Sequence, residues 1–137
     1  MKLFYFLRAE KTSLFLFILC LTATMSLAQS NQNFDCKILK NIKLKYTDNP
    51  DKTAYLTISG NKHVEYLESG KYFIKSDLEW LNDCEYNAKM TEITLPEFPF
   101  KAGEIMNVKF ENIEGNFITG RAMVRGSSYP IKFEIIR

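Results

Sequence analysis

Past residue 28 the chain alternates apolar and polar residues almost without interruption, and no stretch holds a helical period long enough to define a helix. The alternation predicts eight β-strands, at residues 38–47, 53–59, 62–68, 71–81, 84–92, 104–113, 116–124 and 129–136. Most joins carry turn chemistry: TDNPDK, GN, SG, ND, EGN and RGSS. One join differs: in TLPEFPFKAG two prolines forbid a central strand, which predicts a loop or lid at one end of the sheet. Connections this short between neighbours make an antiparallel meander, and eight strands in about a hundred residues fit a small up-and-down barrel of calycin or lipocalin-like form. The fold class is therefore all-β, with a rolled open sheet or a sandwich as the alternative, and each of these buries one face.

Turn lengths decide which face. A two-residue GN turn pairs Ile58 with His63, and a two-residue SG turn pairs Leu67 with Tyr72. Carried along the strands, this puts Ala54, Leu56, Ile58, His63, Glu65, Leu67, Tyr72, Ile74, Ser76, Leu78 and Trp80 on one side. The other side receives Thr57, Ser59, Lys75, Asp77 and Glu79, so the first side is the buried one. In LEWLNDCEYNAKM, residues 78–90, a turn made of ND alone would set Trp80 against Glu85. A three-residue connection, Leu81-Asn82-Asp83, instead pairs Trp80 with Cys84 and Leu78 with Tyr86, with Asn82 or Asp83 taking the left-handed position. Trp80, Cys84 and Tyr86 are then expected together inside, as an aromatic plug at one end of the core.

The first 28 residues follow another pattern. Lys2, Arg8 and Lys11 precede an uncharged apolar run over residues 14–21, and small residues follow at Ser26 and Ala28. That run is too short to span a bilayer, and the pattern predicts a secretory signal cleaved between Ala28 and Gln29, with an uncleaved N-terminal anchor as the alternative. Leu19 before Cys20 does not suit a lipid-attachment signal, so no membrane anchor is expected after cleavage. Residues 29–137 then form a single barrel-like domain, in the periplasm or outside the cell. Cleavage removes three basic residues and one acidic one, leaving 15 Lys and Arg against 15 Asp and Glu. A neutral chain lacks the electrostatic footprint of a nucleic-acid binder. Two cysteines remain, Cys36 and Cys84, and in an oxidising compartment such a pair reads as a disulfide, with two buried free thiols as the alternative.

Candidate chemistry is sparse. On the expected inner face, His63 and Glu65 are the two groups that ionise near neutral pH; two residues apart on one strand, they point the same way. They could anchor the polar group of a ligand inside an apolar barrel, together with Tyr72, Trp80 and Tyr86. They could equally form an internal hydrogen-bonded network with the tyrosines, or sit near an open rim. A single histidine and two cysteines that bond each other fall short of a four-ligand metal site, so no metal and no cofactor is expected. No nucleophile elbow and no glycine-rich phosphate loop occurs, so no catalytic residues are assigned and an enzyme, a hydrolase foremost, ranks last. Lys37, Lys40, Lys43 and Lys45 read as the solvent face of the first strand, and Arg121 is a candidate partner for Glu65 should it point inward.

Asp35-Cys36 followed by LEWLNDCEYNAKM resembles a family of small secreted or lipid-anchored proteins of Bacteroidetes-type bacteria, with an early cysteine, a Gln-x-Glu strand and a W-x-x-D-C-x-Y motif. The similarity covers most of the chain after residue 28; Trp80, Asp83, Cys84 and Tyr86 match the motif, and Glu65 takes the acidic position. His63 stands where the family more usually has Gln, NIKLKY replaces its Gly-x-Phe, and its Arg is missing near Ser59, which removes the basis for an internal Arg/Glu pair. The resemblance implies an all-β fold without an assigned activity. Some members carry a DNA topoisomerase IV label, which a secreted neutral domain of this size does not support. Two functions are expected ahead of an enzyme: a carrier of a small apolar or lipidic ligand in the barrel, with LPEFPF as a flap, or an envelope interaction domain with a solid core that docks a protein on a surface strand or on the Phe98 and Phe100 loop.

Overall fold

The computed structural model describes residues 34–137, so the expected signal and its cleavage between Ala28 and Gln29 lie outside the described residues. Eight antiparallel strands run as a meander: β1 Asn41–Tyr46, β2 Tyr55–Ser59, β3 Lys62–Leu67, β4 Tyr72–Asn82, β5 Glu85–Ile93, β6 Ile105–Glu114, β7 Phe117–Val124 and β8 Ser127–Ile136. β8 pairs back onto β1, Leu44 opposite Ile135 and Tyr46 opposite Phe133, so the sheet closes as a barrel and not as an open roll or a sandwich. Closure leaves no strand edge for another chain to join. Among the described residues no helix is long and apolar enough to cross a membrane.

The register follows the turns. Gly60 takes a positive φ at the first position of the Gly60-Asn61 turn, which a hairpin of this length favours, and Ile58 lies opposite His63. Leu67 lies opposite Tyr72, across a short 3₁₀ turn at Glu68–Gly70. The inward set is the expected one: Leu56, Ile58, His63, Ile74, Ser76 and Leu78 are all buried, whereas Lys75, Asp77 and Glu79 are exposed.

Two expectations need correction. Residues 38–40 are not strand: Cys36–Lys40 is a 3₁₀ helix, with Asp35 accepting a hydrogen bond from the Lys37 amide at 2.9 Å. Leu39 is fully buried at the foot of the barrel, and this turn carries Cys36 to Cys84, Cα to Cα 5.1 Å, in a disulfide. The second correction is the β4–β5 register. Trp80 lies opposite Tyr86 and Leu78 opposite Ala88, not Cys84 and Tyr86. A bulge at Leu81 adds one residue to β4, the tight turn is Asp83-Cys84, and the Cys84 amide donates to Asn82 Oδ1 at 2.9 Å. Bulge and turn together preserve the alternation, so Trp80, Cys84 and Tyr86 still meet at the core beside Cys36.

Two more bulges, at Thr91 and Glu111, tighten the sheet. Opposite the second, Gly120 lets two backbones touch: a β-carbon there would overlap the Lys109 carbonyl oxygen and come within 2.9 Å of Phe110 Cα. The far end of the barrel is closed by the loop between β5 and β6, which includes Phe98 and Phe100, their rings 5.5 Å apart. Glu104 fixes the base of this loop, accepting from the Lys101 amide at 2.6 Å and from Arg125 Nη2 at 2.8 Å.

Candidate functional site

β3 delivers His63 and Glu65 to the interior because the short turn before it fixes their parity. His63 is buried, and Glu65 lies mostly inside, with His63 Nε2 3.5 Å from its Oε1. Neither imidazole nitrogen has a hydrogen-bond partner. Burial pushes the His63 pKa below its ordinary value, and the Glu65 charge opposes that shift, so the neutral ring is the favoured form.

Tyr46 comes from β1 to the neighbourhood of Glu65, and its pKa is raised, first by burial and then by the Glu65 carboxylate. Tyr86 lies below, its ring 6.2 Å from His63 edge to face, its phenol likewise pushed up by burial and then by Glu65. Tyr86 in turn packs 5.0 Å from Trp80, whose indole N–H donates to the Gly60 carbonyl at 3.0 Å. Trp80 is thus a structural plug. Tyr72 stands at the opposite end of β4 with the Lys71 ammonium 4.7 Å from its ring centre, away from His63. Arg121 points outward and pairs with Glu111 at 2.9 Å, so it is no partner for Glu65.

The space that His63 and Glu65 share with Ile74, Ser76, Ala88, Met90, Phe98 and Met106 is about 20 Å³, room for one water-sized guest. Of the five residues expected to bind a ligand, His63 and Glu65 line this space, Tyr86 touches His63, and Tyr72 and Trp80 do not line it. Tyr46, Met90 and Met106 were not anticipated; for Tyr46 the signal was present, since alternation from Leu44 places it inside.

On the outside, Tyr55, Tyr66 and Phe73 sit in register across β2, β3 and β4. Tyr55 and Tyr66 stack 4.8 Å apart, and Lys43 and Lys75 lie over the two ends of the row, 4.3 Å from the Tyr55 ring centre and 4.5 Å from that of Phe73. A larger open hollow of about 650 Å³ lies over β7 and β8, lined by Asp48, Glu111, Thr119, Arg121 and Lys132 among others. Among the described residues no group of three or more His, Cys, Asp or Glu side chains is placed to hold a metal. Comparison with protein-family models, with curated proteins and with solved structures found no match to this chain.

Proposed function

We propose that the chain is an exported, non-enzymatic binding domain of the cell envelope whose barrel is a filled scaffold and whose partner docks on the outside. One observation carries this reading: the interior beside His63 and Glu65 leaves about 20 Å³, far below the several hundred Å³ that enclose a drug-sized or lipidic ligand. The Cys36–Cys84 disulfide supports export, as does the signal-like segment that ends at Ala28 and Gln29. The small secreted or lipid-anchored family that the W-x-x-D-C-x-Y motif resembles fits the same reading.

Strand addition is not open to a closed barrel, so contact falls to side chains. Tyr and Phe concentrate at the centres of protein interfaces, and the Tyr55–Tyr66–Phe73 row is a partly exposed aromatic strip already flanked by lysines. Native mass spectrometry of protein purified from the periplasm tests the proposal. We expect no co-purifying organic molecule, and site-specific cross-linking at Tyr66 should capture a protein partner that Tyr66→Ser loses. A small organic mass held in the native spectrum would return the interior-carrier reading and overturn this one.

A further inference from the structure

A scaffold that binds through its outside has no use for two features of the interior. His63 is buried with both nitrogens unpartnered, and the thioethers of Met90 and Met106 line the same space. An unpartnered buried polar group destabilises the fold that contains it. Register explains how these donors converge. His63 lies opposite Ser76, and Ser76 opposite Met90, so imidazole and thioether flank a serine on one level of the inner face. Met106 enters from β6 opposite Ala88. Ser76 and Ala88 are the small residues of this set, and the gap they leave is the cavity.

The donors are one neutral nitrogen and two soft sulfurs, with a carboxylate beside them. Thioether sulfur selects soft ions such as Cu(I) and is not among the ligands that hold zinc, which takes thiolate, imidazole or carboxylate. Charge points the same way. A monovalent cation next to Glu65 forms a neutral assembly, whereas a divalent ion would leave one buried charge uncompensated. Size agrees as well, since about 20 Å³ admits a bare ion or one water and not a hydrated ion.

We propose that this cavity is a binding site for a single soft monovalent cation, Cu(I), held by an imidazole nitrogen of His63 and the sulfurs of Met90 and Met106, with Glu65 as its counter-charge. Phe98 closes the cavity from the β5–β6 loop, which places entry at that end of the barrel.

The test uses the oxidised full domain under anaerobic conditions, titrated with Cu(I) against the chromogenic chelator bicinchoninate, with Ag(I) as a redox-inert second probe. One equivalent should leave the chelator, and the ε-methyl resonances of Met90 and Met106 should move while that of exposed Met123 does not. His63→Leu and Met90→Leu should each weaken binding by roughly 10–100-fold or more, since loss of even an outer partner of a metal ligand has that effect. Zn(II) should not compete. The proposal fails when neither probe is retained and the methyl resonances stay still, which would make the cavity a one-water site. It fails equally when a folded His63→Leu protein binds Cu(I) as the parent does. Should Met90→Leu not fold, the methyl shifts of the unmodified protein decide the outcome. Retention of the ion is independent of whether a protein partner docks outside, so either proposal can fall without the other.

Discussion

Replacing Cys36 and Cys84 together by serine should remove a large part of the stability of this barrel without changing its fold. The bond joins residues separated by 48 positions, and closing a loop of that length restricts the unfolded chain by about 4 kcal/mol in the chain-entropy model. A domain of this size has roughly 5–15 kcal/mol in all. With a urea m-value of about 1–2 kcal/mol per molar, the unfolding midpoint should fall by roughly 2–4 M, and m itself should rise because the unbridged chain expands further. Trp80 is the sole tryptophan and packs on Tyr86 beside Cys84, so its fluorescence follows the transition directly. The native spectrum should be kept, since the apolar packing that buries Leu39 and Tyr86 extends well beyond the sulfur bridge. A midpoint shift below about 1 M would refute the reasoning, because it would mean that the bond does not restrain the unfolded chain as the loop length requires.

Gly120→Ala should lower the melting temperature by at least about 5 °C, since the added carbon meets the backbone of Lys109 and Phe110 and overpacking of this kind costs about 1–3 kcal/mol; an unchanged thermal melt would count against the close approach. His63→Leu should leave stability at pH 7 equal or higher in urea denaturation, because it removes two unpartnered polar atoms from the core, and a marked loss would show that the imidazole is satisfied after all. Asp51 accepts from the Thr53 amide and hydroxyl and from the Glu68 amide, at 2.9, 2.6 and 2.7 Å, and these bonds hold its pKa below the ordinary carboxylate value. Its contribution is therefore present above the unfolded pKa near 4 and lost as pH falls through the lower folded value. Protection of the Glu68 amide against hydrogen exchange, relative to its intrinsic rate at each pH, should fall in that acid window, and in Asp51→Ala it should be low at neutral pH too; protection that ignores both changes would sink the idea.

Much of the fold was legible because parity is a strong constraint. Two tight turns, at Gly60-Asn61 and before Tyr72, were enough to put His63 and Glu65 inside. Parity does not count residues, however. A three-residue loop, or a bulge at Leu81 followed by a two-residue turn, leaves Trp80 and Tyr86 on the same face, and only the backbone distinguishes them. Residues 38–40 read as strand because Ile38 and Leu39 are apolar, but the bridge to Cys84 and the Asp35 cap turn them across the end of the barrel. Short connections and eight strands favoured a barrel, and the pairing of β8 with β1 bears this out, although alternation alone does not separate it from an open sheet, which alternates in the same way. At the site, neighbours on β3 could be read off the chain. Tyr46, Met90 and Met106 come from three other strands, and which of them share a level with His63 depends on strand stagger, which no local pattern records.

The barrel contains a conflict that its fold does not require. Around Glu65, His63, Ser76 and Tyr46 the inner face is apolar and packed, from Leu44, Leu56 and Ile58 to Val108, Phe110 and Ile118. Apolar residues at positions 63, 65 and 46 would continue the same alternation, close the same cavity and remove the unpartnered imidazole. Local choices in a natural sequence generally agree with the fold, and the exceptions fall where stability has been given up for a task. The outer aromatic row needs no such exception, because cross-strand pairs such as Tyr55 and Tyr66 stabilise a sheet in their own right. The inner polar group is therefore the feature that a purely structural account leaves unexplained. The cavity has room for one atom-sized guest, and a soft cation is the guest that the imidazole, the carboxylate and the two thioethers would suit in common.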